Sequence, residues 1–492
     1  MGHNIRTKQG VLRGKARDGV VSFLGIPYAS SPTGPRRFMA PVPPEPWDGV
    51  RDALEFGPTP PTPDYPPPFD ALFAEPAAAG DDCLNLNVWT PDPDALGLPV
   101  MVWIHGGAFA NGNSAIPLYD GRAFARDDVV LVSLNYRLGV EGFALLPGAP
   151  ANRGLLDQIA ALEWVRDNIG SFGGDPGNVT VFGESSGAMS VVTLLAMPGA
   201  AGLFGKAIAQ SGAAQAAAVP ADAALVTAEL GRVLDIKGEV SAARLAMVEP
   251  QELIDAQVAV RDALAASADP ARFGPSIVAS TMPFIPVIDG DTLPEHPLAS
   301  IASGSGAEVP LMIGTNSDEF RTFLVPSGMA DMVTDEVLAS MGAAIGANPG
   351  VIGAYRDSRP RATAGDLLAA LLTDRFFLLP AIAVAQARLD AKAPTFLYEF
   401  AWRHQQVGAG HGLDVPFVFD NLSAPGADLV TGPDAPRDLA EEMHRIWIRF
   451  ASTGDAGWPA FDQTFPVRVF DDNGGGIRVD PHATERAAWP HD

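Results

Sequence analysis

The chain has 492 residues, of which 47% are apolar, and its formal net charge is −25 at pH 7. This apolar fraction is ample for a buried core and excludes a disordered composition. The negative charge disfavours nucleic acid or an anionic membrane as a partner, because both would repel the chain. It is typical of a soluble enzyme, and it weakly favours a neutral substrate.

Cys83 is the only cysteine, so the chain can form neither an intrachain disulfide nor a cysteine-rich zinc site. Residues 1–13 lack the apolar run of a secretory signal. No window approaches the ~18 unbroken apolar residues that a membrane span needs. We therefore expect a soluble, cytoplasmic protein.

Short strands and turns are predicted over residues 1–60, and the many prolines of residues 58–76 predict a surface loop without a regular element. Apolar runs then predict buried strands over residues 84–89, 100–104, 129–134 and 179–182. Between the last two, apolar positions at helical spacing predict a helix over residues 157–169. Strands that alternate with helices indicate a mostly parallel sheet covered on both faces.

The second half of the chain continues this pattern after an interruption. Residues 213–280 include an alanine-rich stretch with a helical pattern, which predicts a helical insertion. Strands are predicted again over residues 309–313 and 395–400, and an amphipathic helix over residues 437–450. No fixed-period repeat and no shift in composition marks a linker, so we predict a single domain over residues 1–492.

Residues 183–187, Gly-Glu-Ser-Ser-Gly, fit the pattern G-x-S-x-G. They follow a predicted strand and precede a helix-compatible run, which is the context of a nucleophile elbow. Such a turn exposes the hydroxyl of Ser185 and places the N–H of Ser186 at a helix start, where it can face a developing oxyanion. An ordinary glycine-rich turn is the alternative, because small residues are common between a strand and a helix.

A second glycine motif, His105-Gly-Gly107, directly follows a predicted buried strand. Glycines there let backbone amides approach a substrate carbonyl, and each donor contributes on the order of 3 kcal/mol in the transition state. His105 is a candidate base, but in this type of loop the histidine anchors the loop by hydrogen bonding. The two motifs in this order predict a hydrolase that transfers acyl groups.

Ordered blocks along nearly the whole chain resemble the type-B carboxylesterases, which include p-nitrobenzyl esterases, phenmedipham hydrolases and, more remotely, cholinesterases. The blocks are residues 25–28, 32–38, 82–89, 103–109, 135–139, 172–178, 210–212, 286–290 and 416–419. The resemblance implies the α/β-hydrolase fold, with a large, mostly parallel sheet covered by helices on both faces and with helical insertions.

The resemblance also implies the partners of the serine. The family's acid ends a Gly-x-x-x-Asp-Glu block, which implies Glu319, with Asp318 as the local competitor. The family's histidine lies shortly before Pro-Phe-Val-Phe, which implies His411. His404 lies outside that motif, and we expect it at the surface or in the pocket wall. The order Ser185, Glu319, His411 is the one typical of this fold.

By the same resemblance, the oxyanion hole comprises the backbone N–H groups of Gly107, Ala108 and Ser186. Ala108 replaces the usual third glycine, and its methyl group either narrows the space beside the attacked carbonyl or packs against the sheet. Ser186 replaces a more usual alanine and keeps the backbone donor. Phe320 replaces the usual glycine after the acid, with no evident role.

Three further positions match structural features of the family. Cys83 matches a position that forms a disulfide in secreted relatives, so without a partner we expect a free, buried thiol. Arg37 and Asp81 match a salt bridge that ties the N-terminal region to the sheet. All three are expected to be structural.

The implied activity is that of a serine carboxylesterase that forms an acyl-enzyme with small, neutral, largely apolar esters, without metal or organic cofactor. Carbamate or phthalate-diester cleavage by the same three residues is the alternative among enzymes. A catalytically inactive binding protein is the alternative of another class, but such relatives typically lack the nucleophile. We expect residues 58–76 and 213–280 to shape the pocket, and the protein to be a monomer that binds neither nucleic acid nor membranes.

Overall fold

The computed structural model describes residues 2–73, 75–472 and 475–490. Within these residues the β-strands belong to one sheet, and their bounds are β1 Gly2–Arg6, β2 Val11–Arg17, β3 Val20–Pro27, β4 Val50–Asp52, β5 Asn85–Thr90, β6 Leu98–Ile104, β7 Val130–Leu134, β8 Gly174–Glu184, β9 Lys206–Gln210, β10 Leu311–Asn316, β11 Thr395–Phe400, β12 Pro466–Phe470 and β13 Gly476–Val479. Their order in the sheet is β1-β2-β3-β5-β7-β6-β8-β9-β10-β11-β12-β13, with β4 beside β2. From β7 to β12 in that order all neighbours are parallel, and antiparallel pairs flank this central part on both sides.

The α-helices of the described residues connect these strands. They are α1 Phe69–Leu72, α2 Arg122–Arg126, α3 Gly139–Phe143, α4 Arg153–Asn168, α5 Ser186–Ala196, α6 Pro220–Val233, α7 Ala242–Leu245, α8 Pro250–Ala266, α9 Pro270–Phe273, α10 Pro275–Ser280, α11 Pro297–Ala302, α12 Arg321–Leu324, α13 Met329–Met332, α14 Asp335–Ala344, α15 Pro349–Ser358, α16 Ala364–Thr373, α17 Leu379–Asp390, α18 Val415–Val418, α19 Ala427–Thr431, α20 Arg437–Thr453 and α21 Ala483–Ala488.

The central part of the sheet is buried on both faces, and β6 shows how its sequence achieves this. Val102 and Ile104 pack into the apolar layer that contains α4 and α5, while Met101 and Trp103 pack into the layer that contains α2 and α20. Successive side chains of a strand point to opposite faces, so an apolar residue is required at every position. The unbroken apolar runs that predicted the central strands have this cause.

The predicted strands of the central sheet correspond to β5 to β8, β10 and β11, and the predicted helices correspond to α4 and α20. The region of residues 213–280 contains α6 to α10, as predicted. Two predictions need correction. The proline-rich loop contains one helical turn, α1, and six helices, α12 to α17, lie between β10 and β11 where no element was predicted.

The long helix from Ala364 to Asp390 joins α16 and α17 through a π turn over Asp374–Leu378. By length and composition alone, this helix could cross a membrane. Its most apolar window is 56% buried inside the fold, as is usual for the core helix of a soluble protein, so its length and composition do not by themselves indicate a membrane span. The expectation that the protein binds no membrane stays a prediction.

The salt bridge predicted between Arg37 and Asp81 is wrong. The Nε atom of Arg37 lies 2.8 Å from Oε1 of Glu141 in α3, and its Nη1 donates to the carbonyl of Val248 at 2.6 Å. The guanidinium therefore points to α3 and the segment after α7, while Asp81 is exposed. Cys83 is free and buried, as predicted.

Candidate active site

Ser185 lies in the turn between β8 and α5, with φ 55° and ψ −124°. A positive φ is costly for a residue with a side chain, so the surrounding turn must impose it. The turn is tight, because a Cβ at Gly187 would lie 2.1 Å from the carbonyl oxygen of Ile104, and one at Gly183 would lie 2.6 Å from it. The Ser185 hydroxyl has no hydrogen-bond partner within the described part of the chain and opens into a cavity.

The structure brings His411 and Glu319 together. The Nδ1 atom of His411 lies 2.6 Å from Oε2 of Glu319, which is completely buried. The second oxygen of this carboxylate accepts the N–H of Asn316 at 2.8 Å, which fixes its orientation. A carboxylate held in this way fixes the imidazole tautomer and leaves Nε2 available for the proton of a nucleophile.

The two competing candidates have other partners. Asp318 accepts from Arg403 at 2.8 Å and from the N–H of Ala409 at 3.0 Å, so its carboxylate holds the loop before His411. His105 is completely buried, and its Nδ1 lies 2.8 Å from the carbonyl oxygen of Gly106. Burial lowers the pKa of His105 to about 4, so the neutral ring donates to that carbonyl and anchors the loop.

Glu184, directly before Ser185, is a neighbour of His411 that the sequence reasoning missed. Its Oε1 lies 3.1 Å from Nε2 of His411. Burial raises the pKa of Glu184, while the neighbouring His411 acts in the opposite direction. Burial disfavours the charged form of His411, but the carboxyl groups of Glu184 and Glu319 outweigh this effect and raise its pKa. The pattern G-x-S-x-G leaves the position of Glu184 open, so it carries no signal there.

Three backbone donors lie around Ser185. Within the described residues, the N–H groups of Gly107, Ala108 and Ser186 donate to no protein acceptor. Gly107 has φ 116°, and a Cβ there would lie 2.2 Å from the carbonyl oxygen of Asn111, so only glycine fits. Ala108 has φ 55° and is exposed in the cavity wall, so its methyl group narrows the cavity instead of packing on the sheet. Three unpaired donors of this kind suit an oxyanion.

Ser185 and His411 open into a cavity of about 760 Å³, the size of a site for a small organic molecule. We call residues 58–73, Glu75 and Pro76 the proline-rich wall. Its side chains line the cavity, as the sequence predicted, with Tyr65, Ala71, Leu72, Phe73, Glu75 and Pro76. The insertion of residues 213–280 contributes Arg261 alone among the described residues, so the prediction that this insertion shapes the pocket holds at one position.

We call Phe320, Phe323 and Phe377 the aromatic wall, because their rings pack around His411. The centroids of Phe323 and Phe377 lie 5.4 and 4.9 Å from the centroid of the imidazole. Phe320 contacts both of these rings, at 5.5 and 5.9 Å, so this departure from the family pattern fills the space behind them. His404 does not line the cavity, and its backbone N–H donates to Gly408.

Glu75 is the acidic side chain of the proline-rich wall in this cavity, and no sequence pattern indicated it. Burial raises the pKa of Glu75 to about 7, although the N–H of Gly112 and the hydroxyl of Tyr65 donate to the carboxylate and favour its ionised form. The cavity therefore contains a carboxyl group that titrates near neutral pH.

Comparison with known proteins identifies the family and the fold of this chain. The pattern of the carboxylesterase family matches residues 2–490. The para-nitrobenzyl esterase of Bacillus subtilis (strain 168) is 38% identical over 99% of this chain and 98% of its own. The phenmedipham hydrolase of Pseudarthrobacter oxydans is 34% identical over 96% of each chain. The crystal structure of a carboxylesterase from Geobacillus stearothermophilus superposes with a TM-score of 0.86 at 35% identity, over 99% of this chain and 100% of that one. The predicted family and α/β-hydrolase fold are confirmed.

Proposed function

The chain belongs to the carboxylesterase family and hydrolyses small esters, and from that premise we propose that Ser185, Glu319 and His411 perform the reaction through an acyl-enzyme. The observation that carries the proposal is the 2.6 Å contact between Glu319 and His411 in the cavity onto which Ser185 opens. A serine, a histidine and a buried acid in this relation form the usual nucleophile, base and orienting group of acyl transfer.

The reaction proceeds in two steps on this geometry. Nε2 of His411 takes the proton of Ser185 as the serine oxygen attacks the ester carbonyl. The N–H groups of Gly107, Ala108 and Ser186 bind the tetrahedral oxyanion. His411 then protonates the leaving alcohol. In the second step it removes a proton from the water that attacks the acyl-enzyme, and it returns this proton to the oxygen of Ser185 as the acid is released.

We propose neutral, largely apolar esters as the substrates. The support is the lining of the cavity, which apart from a few polar groups consists of apolar side chains such as Leu72, Phe73, Ile116, Val415 and Leu429. An apolar substrate gains free energy from burial against these side chains, whereas a second buried anion beside Glu75 would lose it. Cytoplasmic location and a monomeric state remain predictions.

A carbamate hydrolase is the second candidate, because the phenmedipham hydrolase of Pseudarthrobacter oxydans is a relative at 34% identity. The same serine, histidine and acid would act, and only the leaving group would differ. Dialkyl phthalates are a further class of ester that the proposal includes. An inactive binding protein is disfavoured, because the nucleophile and its partners are all present.

The test is hydrolysis of p-nitrophenyl butyrate by the wild type, Ser185→Ala and Ser186→Ala. Loss of the nucleophile is expected to lower kcat on the order of 10⁶-fold. Ser186→Ala is the matched control, because the proposal assigns a role only to its backbone N–H, and its activity should stay close to that of the wild type. Full activity of Ser185→Ala would overturn the proposal.

The substrate class is tested with the same three proteins. A phenylcarbamate and a dialkyl phthalate are compared with p-nitrophenyl butyrate by kcat/KM. We expect the simple ester to be preferred. A higher kcat/KM for the phenylcarbamate would replace the ester by the carbamate as the proposed substrate, while the roles of the three residues would stand.

A further inference from the structure

One ring of the aromatic wall, that of Phe377, lies where a helix departs from regular α-helical geometry. Phe377 belongs to the π turn over Asp374–Leu378, which interrupts the helix between α16 and α17. Pro380 follows directly in the first turn of α17. Proline has no N–H to donate four residues back, and in a regular α-helix its ring would collide with the carbonyl of Phe376. A wider turn removes this collision, and π turns of this kind occur often at functional sites.

We call residues 482–489 the C-terminal segment. Buried hydrogen bonds connect the π turn to this segment. The hydroxyl of Tyr355, in α15, donates to the carboxylate of Asp374, the first residue of the π turn. The indole Nε1 of Trp489 donates to the same hydroxyl at 2.9 Å. All three side chains are buried, so a donor removed from this chain leaves a polar atom that water does not readily reach.

Two further contacts fasten the C-terminal segment to the same region. Nε2 of His482 lies 2.9 Å from Oε1 of Glu399, in the strand beside β10. The guanidinium of Arg359 lies 2.9 Å from Glu485 in α21 and over the ring of Tyr355. The segment that ends in Trp489 is therefore held at several points, and its indole has a fixed position.

We propose that Trp489, Tyr355 and Asp374 are positioning residues for His411, which they hold in place through the π turn and the ring of Phe377. The inference rests on the role of His411 proposed above. A small displacement of a general base is costly, since about 1 Å of misplacement lowers rates up to 10²-fold. The chain of hydrogen bonds therefore connects the C-terminal segment to the acyl-transfer step.

The test compares Trp489→Phe with Trp458→Phe. Both tryptophans are 6% exposed, but the indole N–H of Trp458 has no partner among the described residues, and its ring packs against Phe396 and Phe470. We expect Trp489→Phe to lower kcat for p-nitrophenyl butyrate about tenfold, with KM within twofold. Trp458→Phe is expected to leave kcat unchanged, even where it lowers Tm as much.

The pH profile distinguishes positioning from a general loss of stability. The rings that contact the imidazole disfavour its charged form, so loosening them admits water and favours imidazolium. The acidic limb of kcat/KM should therefore move to higher pH in Trp489→Phe. The other groups that act on the imidazole are Glu184, Glu319 and Asp414, and all of them are retained in both variants.

A double variant completes the test. If the hydrogen bonds between Trp489, Tyr355 and Asp374 act on His411 through Phe377, then the double variant Trp489→Phe, Phe377→Leu should have the same kcat as Phe377→Leu alone. Additive losses, or an unchanged kcat and pH profile in a folded Trp489→Phe, would overturn the inference. Should Trp489→Phe fail to fold, Tyr355→Phe breaks the same chain with a smaller change. Because Ser185→Ala tests the proposed function separately, an inactive Ser185→Ala beside an unaffected Trp489→Phe would overturn this inference alone.

Discussion

The proline-rich wall lines the cavity and the aromatic wall packs against His411 at its edge, and the two are held by different kinds of contact. Prolines have no N–H, so the carbonyls of the proline-rich wall take their donors from outside the loop. Side-chain amides supply them: Asn85 donates to Pro58 at 2.8 Å, and Asn111 donates to Pro63 at 2.6 Å. The aromatic wall instead consists of rings that pack on each other and on His411.

This difference indicates a division of work between the two walls. In the aromatic wall, Phe323 and Phe377 contact the imidazole, so changes there should alter kcat. The proline-rich wall carries Phe73 and Glu75, which reach the cavity but have no contact with His411 among the described residues. Changes there should alter KM. We therefore expect substitutions near the aromatic wall to change kcat and substitutions in the proline-rich wall to change KM.

The largest effect is expected next to the aromatic wall, at the acid that contacts His411, with Glu319→Gln. The amide cannot hold the Nδ1–H tautomer or stabilise the imidazolium, so kcat should fall on the order of 10³- to 10⁴-fold, with little change in KM. The measurement is steady-state hydrolysis of p-nitrophenyl butyrate.

Asp318→Asn is the matched control for this variant. It weakens the ion pair with Arg403 but leaves the contact between Glu319 and His411 in place. We expect its kcat within about threefold of the wild type, because an exposed ion pair contributes little. Comparable losses in both variants would show that the loop before His411, and not the acid alone, sets the activity.

The central sheet could be predicted because β6 and its neighbours are buried on both faces and consist mostly of apolar residues, and such runs are visible in a sequence. The helices between β10 and β11 could not be predicted in the same way. Around α16 and α17 apolar residues occur on most sides of the helix, so helical periodicity is faint there. The hydrogen bond from Tyr355 to Asp374 in the π turn joins two different helices, which no local pattern indicates.

In the site, Ser185 was predicted from a motif whose glycines are needed for the tight turn, whereas Glu319 and His411 were predicted from the family resemblance. Glu319 and His411 are 92 positions apart in the sequence, and no sequence spacing indicates that their side chains are in contact at 2.6 Å. Glu75 and Glu184 could not be predicted, because the first lies in a loop shaped by outside donors and the second at an unrestricted motif position. The predicted salt bridge between Arg37 and Asp81 was wrong for a similar reason, because the actual partner, Glu141, lies in α3, and no local pattern indicates that contact.

An intermediate effect is expected in the proline-rich wall, with Phe73→Ala. The ring of Phe73 lines the cavity and packs against Tyr65 at 5.3 Å. Its loss removes apolar contact with a long acyl chain, worth about 1.4 kcal/mol or tenfold in KM, with kcat within about twofold. The measurement is KM for p-nitrophenyl octanoate. Phe69→Ala is the control, since Phe69 stacks on Phe73 in the same helical turn but does not line the cavity. An equal rise in KM there would assign the effect to the fold of the loop.

The smallest effect, and the sharpest test of the difference between the walls, is the pH dependence of KM at Glu75. An apolar ester in the cavity removes water from this carboxyl and so binds better to its neutral form. Because burial already raises the pKa of Glu75 to about 7, KM should be lowest below pH 7 and rise about threefold as pH increases to 9.

Glu75→Gln should remove this rise in KM while the pH dependence of kcat, which reports on His411, stays as in the wild type. Glu45→Gln, a change at an exposed carboxylate just before the proline-rich wall, should behave like the wild type in both respects. If Glu75→Gln instead shifted the pH profile of kcat, the proline-rich wall would act on the imidazole as the aromatic wall does, and the assignment of KM to one wall and kcat to the other would be wrong.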